Sequence, residues 1–232
     1  MPSVIYLIPI AIAEDGFDHL SIQTKSVIQA CEVFFVENLR TARRAFRKID
    51  PQFHIDGKQW YEIKQEEASF VQEFKTAIQN NLNIGIVSES GCPGIADPGQ
   101  ILIAHAQEMQ VHIKPLAGPS SILMTLMASG MNGQQFSFNG YLPIPTLERM
   151  KKIKELEKKA VHENFSQIFI ETPYRNQQLV EALLNALQPS TRLCIGYHIS
   201  SEKEWIKTKT VAHWKKEIPQ LDKEPAVYII GA

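Results

Sequence analysis

The chain has 232 residues, 44% of them hydrophobic and 21% charged, which is long enough for two small domains and close to the usual globular mix. Its 24 basic and 25 acidic residues leave a net charge of -1, which excludes a general polyanion binder and leaves room for a local basic patch. The three cysteines, Cys31, Cys92 and Cys194, lie far apart and carry neither a disulfide framework nor a zinc spacing; they fit a reducing, cytoplasmic compartment. The seven histidines stand singly, with no HxxxH or HExxH pair, so no metal site is signalled.

The apolar start, Met1 to Ile12, lacks a basic leader, is broken by Pro9 and runs into Glu14 and Asp15, so it reads as a buried strand rather than a signal peptide. No apolar run approaches membrane-spanning length. From there, apolar runs and helical periods alternate. Val4 to Ile8 predicts a strand, Leu20 to Ala30 a helix and Val33 to Val36 a second strand. Asn38 is placed to cap a helix running to about Lys48. A loop containing Pro, Gly and His follows. Helical spacing resumes over Glu66 to Asn80, then a strand at Ile84 to Val87, a helix at Ile101 to Gln110 and a strand at Val111 to Leu116. The second half predicts a helix to about Ser129, a strand at Phe136 to Phe138 and a helix at Leu147 to Ala160. Further on come a strand at Ile168 to Ile170 and a helix at Asn176 to Leu187. The end is strand-rich: Leu193 to His198, Glu204 to Thr210 and Ala226 to Ile230, with a short helix near Trp214.

This rhythm predicts an α/β protein of two domains. Residues 1–115 form an N-terminal α/β domain with a mostly parallel sheet, and residues 116–232 a C-terminal α/β domain with a mixed sheet. No long linker marks the boundary.

Two strand-to-helix turns carry the chemistry. Ser88-Glu89-Ser90-Gly91-Cys92-Pro93-Gly94-Ile95-Ala96-Asp97-Pro98-Gly99 leaves a strand end, where ligands settle on open α/β sheets. Its glycines permit close backbone approach and its prolines fix shape. Asp97-Pro98 also reads as an N-cap with Pro at the first helical position. Ala117-Gly118-Pro119-Ser120-Ser121 opens another helix, with Ser120 or Ser121 as cap or as a holder of a polar ligand. No GxGxxG follows the first strand, and neither a phosphate-binding GxxxxGK[ST] nor a GxSxG elbow occurs.

Taken in order, these pieces resemble the tetrapyrrole (corrin/porphyrin) methylase superfamily, and within it the branch of ribosomal RNA small-subunit methyltransferase I. The segments are Leu7-Ile8-Pro9-Ile10, Val36-Glu37-Asn38-Leu39-Arg40-Thr41, Ser88 to Gly99, Pro115 to Ser120, Gly140-Tyr141-Leu142-Pro143 and Phe169-Ile170-Glu171-Thr172-Pro173-Tyr174-Arg175. The resemblance implies two α/β domains with a cofactor cleft between them, a homodimer, and S-adenosylmethionine as methyl donor. It places the cofactor against Pro9, Ser88, Glu89, Gly91, Cys92, Ile95, Ser120, Ser121, Glu171, Pro225 and Ala226. It implies 2′-O-ribose methylation of a cytidine in ribosomal RNA, with the small ribosomal subunit as partner.

The sequence departs from the branch at three places. The loop Ile10 to Asp15 lacks a Gly-Asn pair, Asn38 stands where an Asp is usual, and Tyr197 to Ser201 replaces an R-E-L-[TS]-K segment. These places should face substrate. Two alternatives therefore stay open: methylation of a small tetrapyrrole-like substrate, and a cofactor-binding member without catalysis. A ribose acceptor calls for a proton-accepting group. Glu37 and His198 are the candidates, against pairing of Glu37 with Arg40 or Arg43 and a plain sheet role for His198. Arg40, Arg43, Arg44 and Arg47, with Lys48, form the one basic cluster and can share a helix side. Arg40, Arg43 and Arg44 are the candidate substrate-binding residues, through phosphate, with a solvated face as the alternative.

Overall fold

The computed structural model describes residues 2–63, 67–221 and 223–232. The chain divides into two compact units, Met1–Ser120 and Ser121–Ala232. Among the described residues no helix is long and apolar enough to cross a membrane.

In the first unit, five short strands form one sheet: β1 (Val4–Ile8), β2 (Val33–Val36), β3 (Gln59–Glu62), β4 (Ile84–Val87) and β5 (His112–Pro115). Their order is β3-β2-β4-β1-β5, and every pairing is parallel. Side chains alternate across such a sheet. Phe34 and Val36 enter one core with Ile8, Val27 and Phe46, whereas Val33 and Phe35 enter the other with Ile5, Phe74 and Leu102. Helices α1 (Gln23–Ala30) and α2 (Leu39–Ile49) supply the first core, and α3 (Val71–Gln79) and α4 (Gln100–Glu108) the second. Burial on both faces explains why β2 and β4 read as unbroken apolar runs.

Three local expectations change. The loop expected before residue 66 contains β3, a strand with two apolar residues between polar ones. Its partner supplies what its own pattern lacks: Trp60 stacks on Phe34 at 4.7 Å, and Tyr61 on Phe35 at 4.9 Å. The helix expected from Glu66 starts later. Glu66 lies outside the described residues, a 3-10 turn occupies Glu67–Phe70, and α3 begins at Val71. The third change is at α4. Asp97 does not cap it and Pro98 is not its first residue, because the helix begins at Gln100 after Gly99 at φ 121°. The buried Glu67 carboxylate accepts from Gly99 N at 3.0 Å and Leu102 N at 2.8 Å, satisfying donors a local cap would otherwise take.

The second unit has a mixed sheet of β6 (Phe136–Tyr141), β7 (Ser166–Glu171), β8 (Arg192–Tyr197), β9 (Trp205–Thr210) and β10 (Ala226–Gly231), in the order β6-β7-β10-β8-β9. Only β6 and β7 pair in parallel. One face carries a large core with residues from α6 (Thr146–Glu163), α7 (Asn176–Ala186) and α8 (Val211–Trp214). The other is covered by Ile122 and Leu126 of α5 (Ser121–Ser129).

The aromatic group Phe34, Phe46, Phe53 and Trp60 holds the edge strand to the first unit. Phe34 is fully buried, so Phe34→Ala is expected to cost about 3–5 kcal/mol, read by urea unfolding.

Candidate functional site

Because all five strands of the first unit run parallel, their carboxyl ends lie together, and the loops that follow β1, β4 and β5 knit there. Ile10 and Gly91 form an antiparallel bridge in which each N–H donates to the other's carbonyl at 2.9 Å. Gly91 stands at φ 72°, a conformation other residues rarely adopt. The buried Ser88 hydroxyl donates to Gly91 O at 3.0 Å, stiffening the same turn. The Cys92 thiol donates to Pro119 O at 3.4 Å. Gly118 lies so close to the Pro9 ring that a Cβ would overlap it. Candidates Pro9, Ser88, Gly91, Cys92 and Ser120 are thus brought into one loop set, while Ile95 holds a half-exposed apolar side chain on it. Helix α5 begins at Ser121, which leaves Ser120 at the N-cap position.

Carboxylates gather at the ends of β2 and β4. The Glu37 carboxylate accepts from Glu89 N at 2.8 Å, and the Thr41 hydroxyl donates to the Glu89 carboxylate at 3.0 Å. Asp97 is half-buried beside them. Burial first, then the charges of Glu37 and Glu89, push its pKa up to about 7. Burial, with a smaller push from Asp97, also raises the Cys92 thiol and keeps it protonated. Glu37 therefore binds a loop amide as well as carrying charge. Asp97, quoted in the sequence only as a possible cap, acquires a pKa near neutrality, a property that depends on neighbours 60 and 8 residues away in the chain and is not visible in its motif.

Asn38 caps α2 as expected, accepting from Arg40 N at 3.0 Å and Thr41 N at 3.1 Å, and Glu62 at the end of β3 accepts from Leu39 N. The arginines of α2 do not act as one set. Arg40 and Arg44 line a cavity of about 480 Å³ with Lys48, Glu14, Phe17 and the apolar run Ile10 to Ala13. Arg44 meets Glu14 at 3.3 Å, both exposed, and Lys48 lies 4.9 Å over the Phe17 ring. Arg43 turns elsewhere, with its guanidinium 5.1 Å over Trp60 and its Nε buried without a hydrogen bond. Its position on the helix predicts a shared face, but the aromatic edge at Trp60 captures it. Thr41 and Phe17 are not among the candidates read from the sequence, and Lys48 enters there only as a member of the basic cluster. Thr41 and Lys48 stand one helical turn from Arg44 or nearly so, which is the signal that could have found them.

In the second unit the strand pairing gathers another group. Ala226 lies opposite Glu171 on β7 and Tyr197 on β8. His198, just past β8 at φ 54°, donates its N–H to Pro225 O at 3.4 Å and sets its ring against Tyr197 at 4.6 Å. It is a turn residue rather than a sheet residue. The buried Glu171 takes Arg175 Nε at 2.9 Å and Nη2 at 2.6 Å, and the Thr172 amide at 2.7 Å, all on Oε1. Its Oε2 is buried with no hydrogen-bond partner. Below it, Tyr228 donates to Asn176 at 3.0 Å, and burial followed by the charge of Glu171 raises the phenol further above its ordinary range.

The family model of the Tetrapyrrole (Corrin/Porphyrin) Methylases matches residues 6–214. The chain belongs to this family. The activity that goes with the family is methyl transfer. Among curated proteins it is similar to "Ribosomal RNA small subunit methyltransferase I" of Vibrio cholerae serotype O1, 26% identical over 209 residues, 90% of this chain and 69% of that protein. The protein of the same name from Mesorhizobium japonicum is 29% identical over 184 residues, 79% of this chain and 58% of the relative. That of Helicobacter pylori J99 is 27% identical over 216 residues, 88% and 71%. The chain thus spans 58% to 71% of these relatives' length. Among solved structures, the methyltransferase CobJ aligns with a TM-score of 0.63 at 15% identity, covering 99% of this chain and 93% of that one. Uroporphyrin-III C-methyl transferase from Thermus thermophilus, complexed with S-adenyl homocysteine, aligns at 0.59 and 11%, covering 98% and 96%. At such identities these structures speak for the fold of the family.

Two outcomes are expected from this geometry. Gly118→Ala pushes the Pro9 loop off its turn, so exchange of the Ile10 and Gly91 amide hydrogens should quicken by about tenfold or more in hydrogen-exchange measurements, the loss of roughly 1.4 kcal/mol of local protection. For Asp97 the folded pKa is raised, so its contribution to stability is complete below the ordinary value of 3.8 and is lost as pH climbs through about 7. Asp97→Asn should therefore raise Tm relative to wild type more at pH 9 than at pH 5, read by thermal melts at both values.

Proposed function

We propose that this chain transfers the methyl group of S-adenosylmethionine to small-subunit ribosomal RNA, at the 2′-hydroxyl of a cytidine ribose. The observation that carries the reading is the cavity beside the methylase loops, where Arg40, Arg44 and Lys48 stand around the apolar residues Ile10 to Ala13. In a chain of net charge -1, three cations stand there against two carboxylates, Glu14 and Glu89. Cations suit phosphate, and a volume of about 480 Å³ next to an apolar wall suits a nucleotide. The rRNA methyltransferase names of the curated relatives support the same substrate.

When bound, S-adenosylmethionine supplies a methyl group on a sulfonium centre, ready for in-line displacement. The residues present fit this donor. On the first unit, the proposed cofactor residues are Pro9, Ser88, Glu89, Gly91, Cys92, Ile95 and Ser120. Their loops offer backbone groups and the apolar Ile95, held still by the Ile10–Gly91 bridge. On the second unit they are Ser121, Glu171, Pro225 and Ala226. Glu171 Oε2 is a buried acceptor without a partner, which suits a ligand rich in hydroxyl and amino donors. Catalysis by such a protein rests largely on positioning.

A ribose hydroxyl must also lose its proton. Asp97, with a pKa of about 7, suits that task better than Glu37, whose carboxylate holds the Glu89 amide, or His198, whose ring packs on Tyr197. In this reading the protein works in the cytoplasm as a homodimer, which is what the sequence resemblance implies.

The test is methyl transfer from labelled S-adenosylmethionine to small ribosomal subunits lacking modification, with a porphyrin precursor as a parallel acceptor. Label in RNA, mapped by mass spectrometry to a cytidine ribose, is the expected outcome. Label on the porphyrin precursor alone would transfer the reading to a small substrate, and binding of the donor with no turnover on either would make the chain a non-catalytic member. Arg40→Gln and Arg44→Gln should each raise KM for RNA about tenfold, the loss of one charge-assisted hydrogen bond. Arg43→Gln, facing Trp60, should leave KM for RNA within about twofold and cost only roughly 0.5–1 kcal/mol of stability.

A further inference from the structure

The second unit carries a basic hollow that belongs to none of the loops above. It has a volume of about 500 Å³ and lies at the end of the sheet, where β9 is an edge strand with β8 as its one neighbour among the described residues. Arg192, Lys209 and Lys216 line it, against the single acid Glu217, with the hydroxyl-bearing Thr208 and Thr210 beside them.

We propose that this hollow is a second phosphate-binding surface for the RNA substrate. The inference rests on the RNA reading above and adds a contact on the second unit.

An edge strand can carry lysines merely to discourage pairing with other chains. Such lysines need no hollow and no anchoring, and both are present. Arg192 comes from β8, not from the edge strand, and still reaches the hollow. Its guanidinium is held from behind, donating Nη1 to Ala232 O at 3.2 Å and Nη2 to Gly130 O at 3.3 Å. A guanidinium has five N–H donors, more than two carbonyls use. Lys209 lies 4.7 Å over the Trp214 ring and 3.0 Å from Glu217, which fixes its stem along the wall. Thr210 caps α8 and is hydrogen-bonded to His213, so this wall is rigid too. The Thr208 and Thr210 hydroxyls are engaged with Ser129 O and His213, so the cations carry the recognition. Oriented cations suit phosphate oxygens, and a polymer with a charge at every nucleotide can reach more than one such surface.

The test is binding of a small-subunit RNA fragment to the full chain between about 50 and 200 mM salt. The variant is Lys209→Gln with Lys216→Gln, and Lys209→Arg with Lys216→Arg is the charge-preserving control. Arg192 is left in place because it ties the chain end and Gly130. The glutamine pair should weaken RNA binding several-fold at the low-salt end and flatten the log–log salt slope by about one to two. The arginine pair should restore both. KM for RNA should rise with kcat and the S-adenosylmethionine affinity unchanged. Affinity and salt slope equal to wild type in the glutamine pair would overturn this inference alone. A wild-type chain with no affinity for RNA would overturn it together with the RNA reading.

Discussion

Parallel pairing in the first unit makes β1, β2, β4 and β5 leave the sheet at the same end, and the candidate features of that unit follow from it. An antiparallel sheet would send half of its loops the other way. Here the turn after β4 meets the turn after β1, and the Ile10–Gly91 bridge closes them with two backbone hydrogen bonds. The turn after β5 joins through Cys92 and through the contact of Pro9 with Gly118. None of these links needs a long side chain. Backbone geometry and small residues do the positioning, which suits a surface that must lie close to a bound molecule.

Charge is arranged as economically as the backbone. The chain is almost neutral overall, and its first unit sets the cations of α2 beside carboxylates, with Glu14 and Glu89 lining the same cavity as Arg40, Arg44 and Lys48 and with Glu37, Glu89 and Asp97 close together at the ends of β2 and β4. Asp97 is the group most affected, since burial and two neighbouring acids disfavour its ionised form. Such a raised carboxylate destabilises the fold at high pH and is found where proton transfer is required. The acids are not idle otherwise. Glu37 and Glu67 each hold backbone amides far along the chain, at Glu89 and at Gly99 and Leu102.

The second unit solves a different packing problem. Its sheet is mostly antiparallel, with one large core face, and its polar buried groups pair internally: Glu171 with Arg175, and Asn176 with Tyr228. Among the described residues Glu171 Oε2 is one exception, with Thr125 Oγ1 and Arg149 Nε, and a buried acceptor left unsatisfied costs about 1–3 kcal/mol unless something donates to it. Members of one fold family act on unlike acceptors by changing loops on a constant frame. The curated relatives are named for ribosomal RNA, whereas a solved neighbour is named for uroporphyrin.

The amino-acid sequence by itself determined the strands with continuous apolar runs, β1, β2 and β4, because burial on both faces of a sheet demands that pattern. It determined the Asn38 cap, since an Asn side chain acts on amides two and three residues away. It also carried the family in the spacing of its glycine- and proline-rich turns. Tertiary structure decided what depends on distant partners. Strand β3 is fixed by Phe34 and Phe35 stacking on Trp60 and Tyr61, although its own four residues, for all the β-propensity of Trp and Tyr, show neither alternation nor a long apolar run. Glu67 caps α4 from across the fold, so Asp97 was misread as a cap by a rule that sees only neighbours. Arg43 left the basic face because Trp60 offered its ring. Local rules reach about one helical turn along the chain, and each of these outcomes was set by groups more than a dozen residues away.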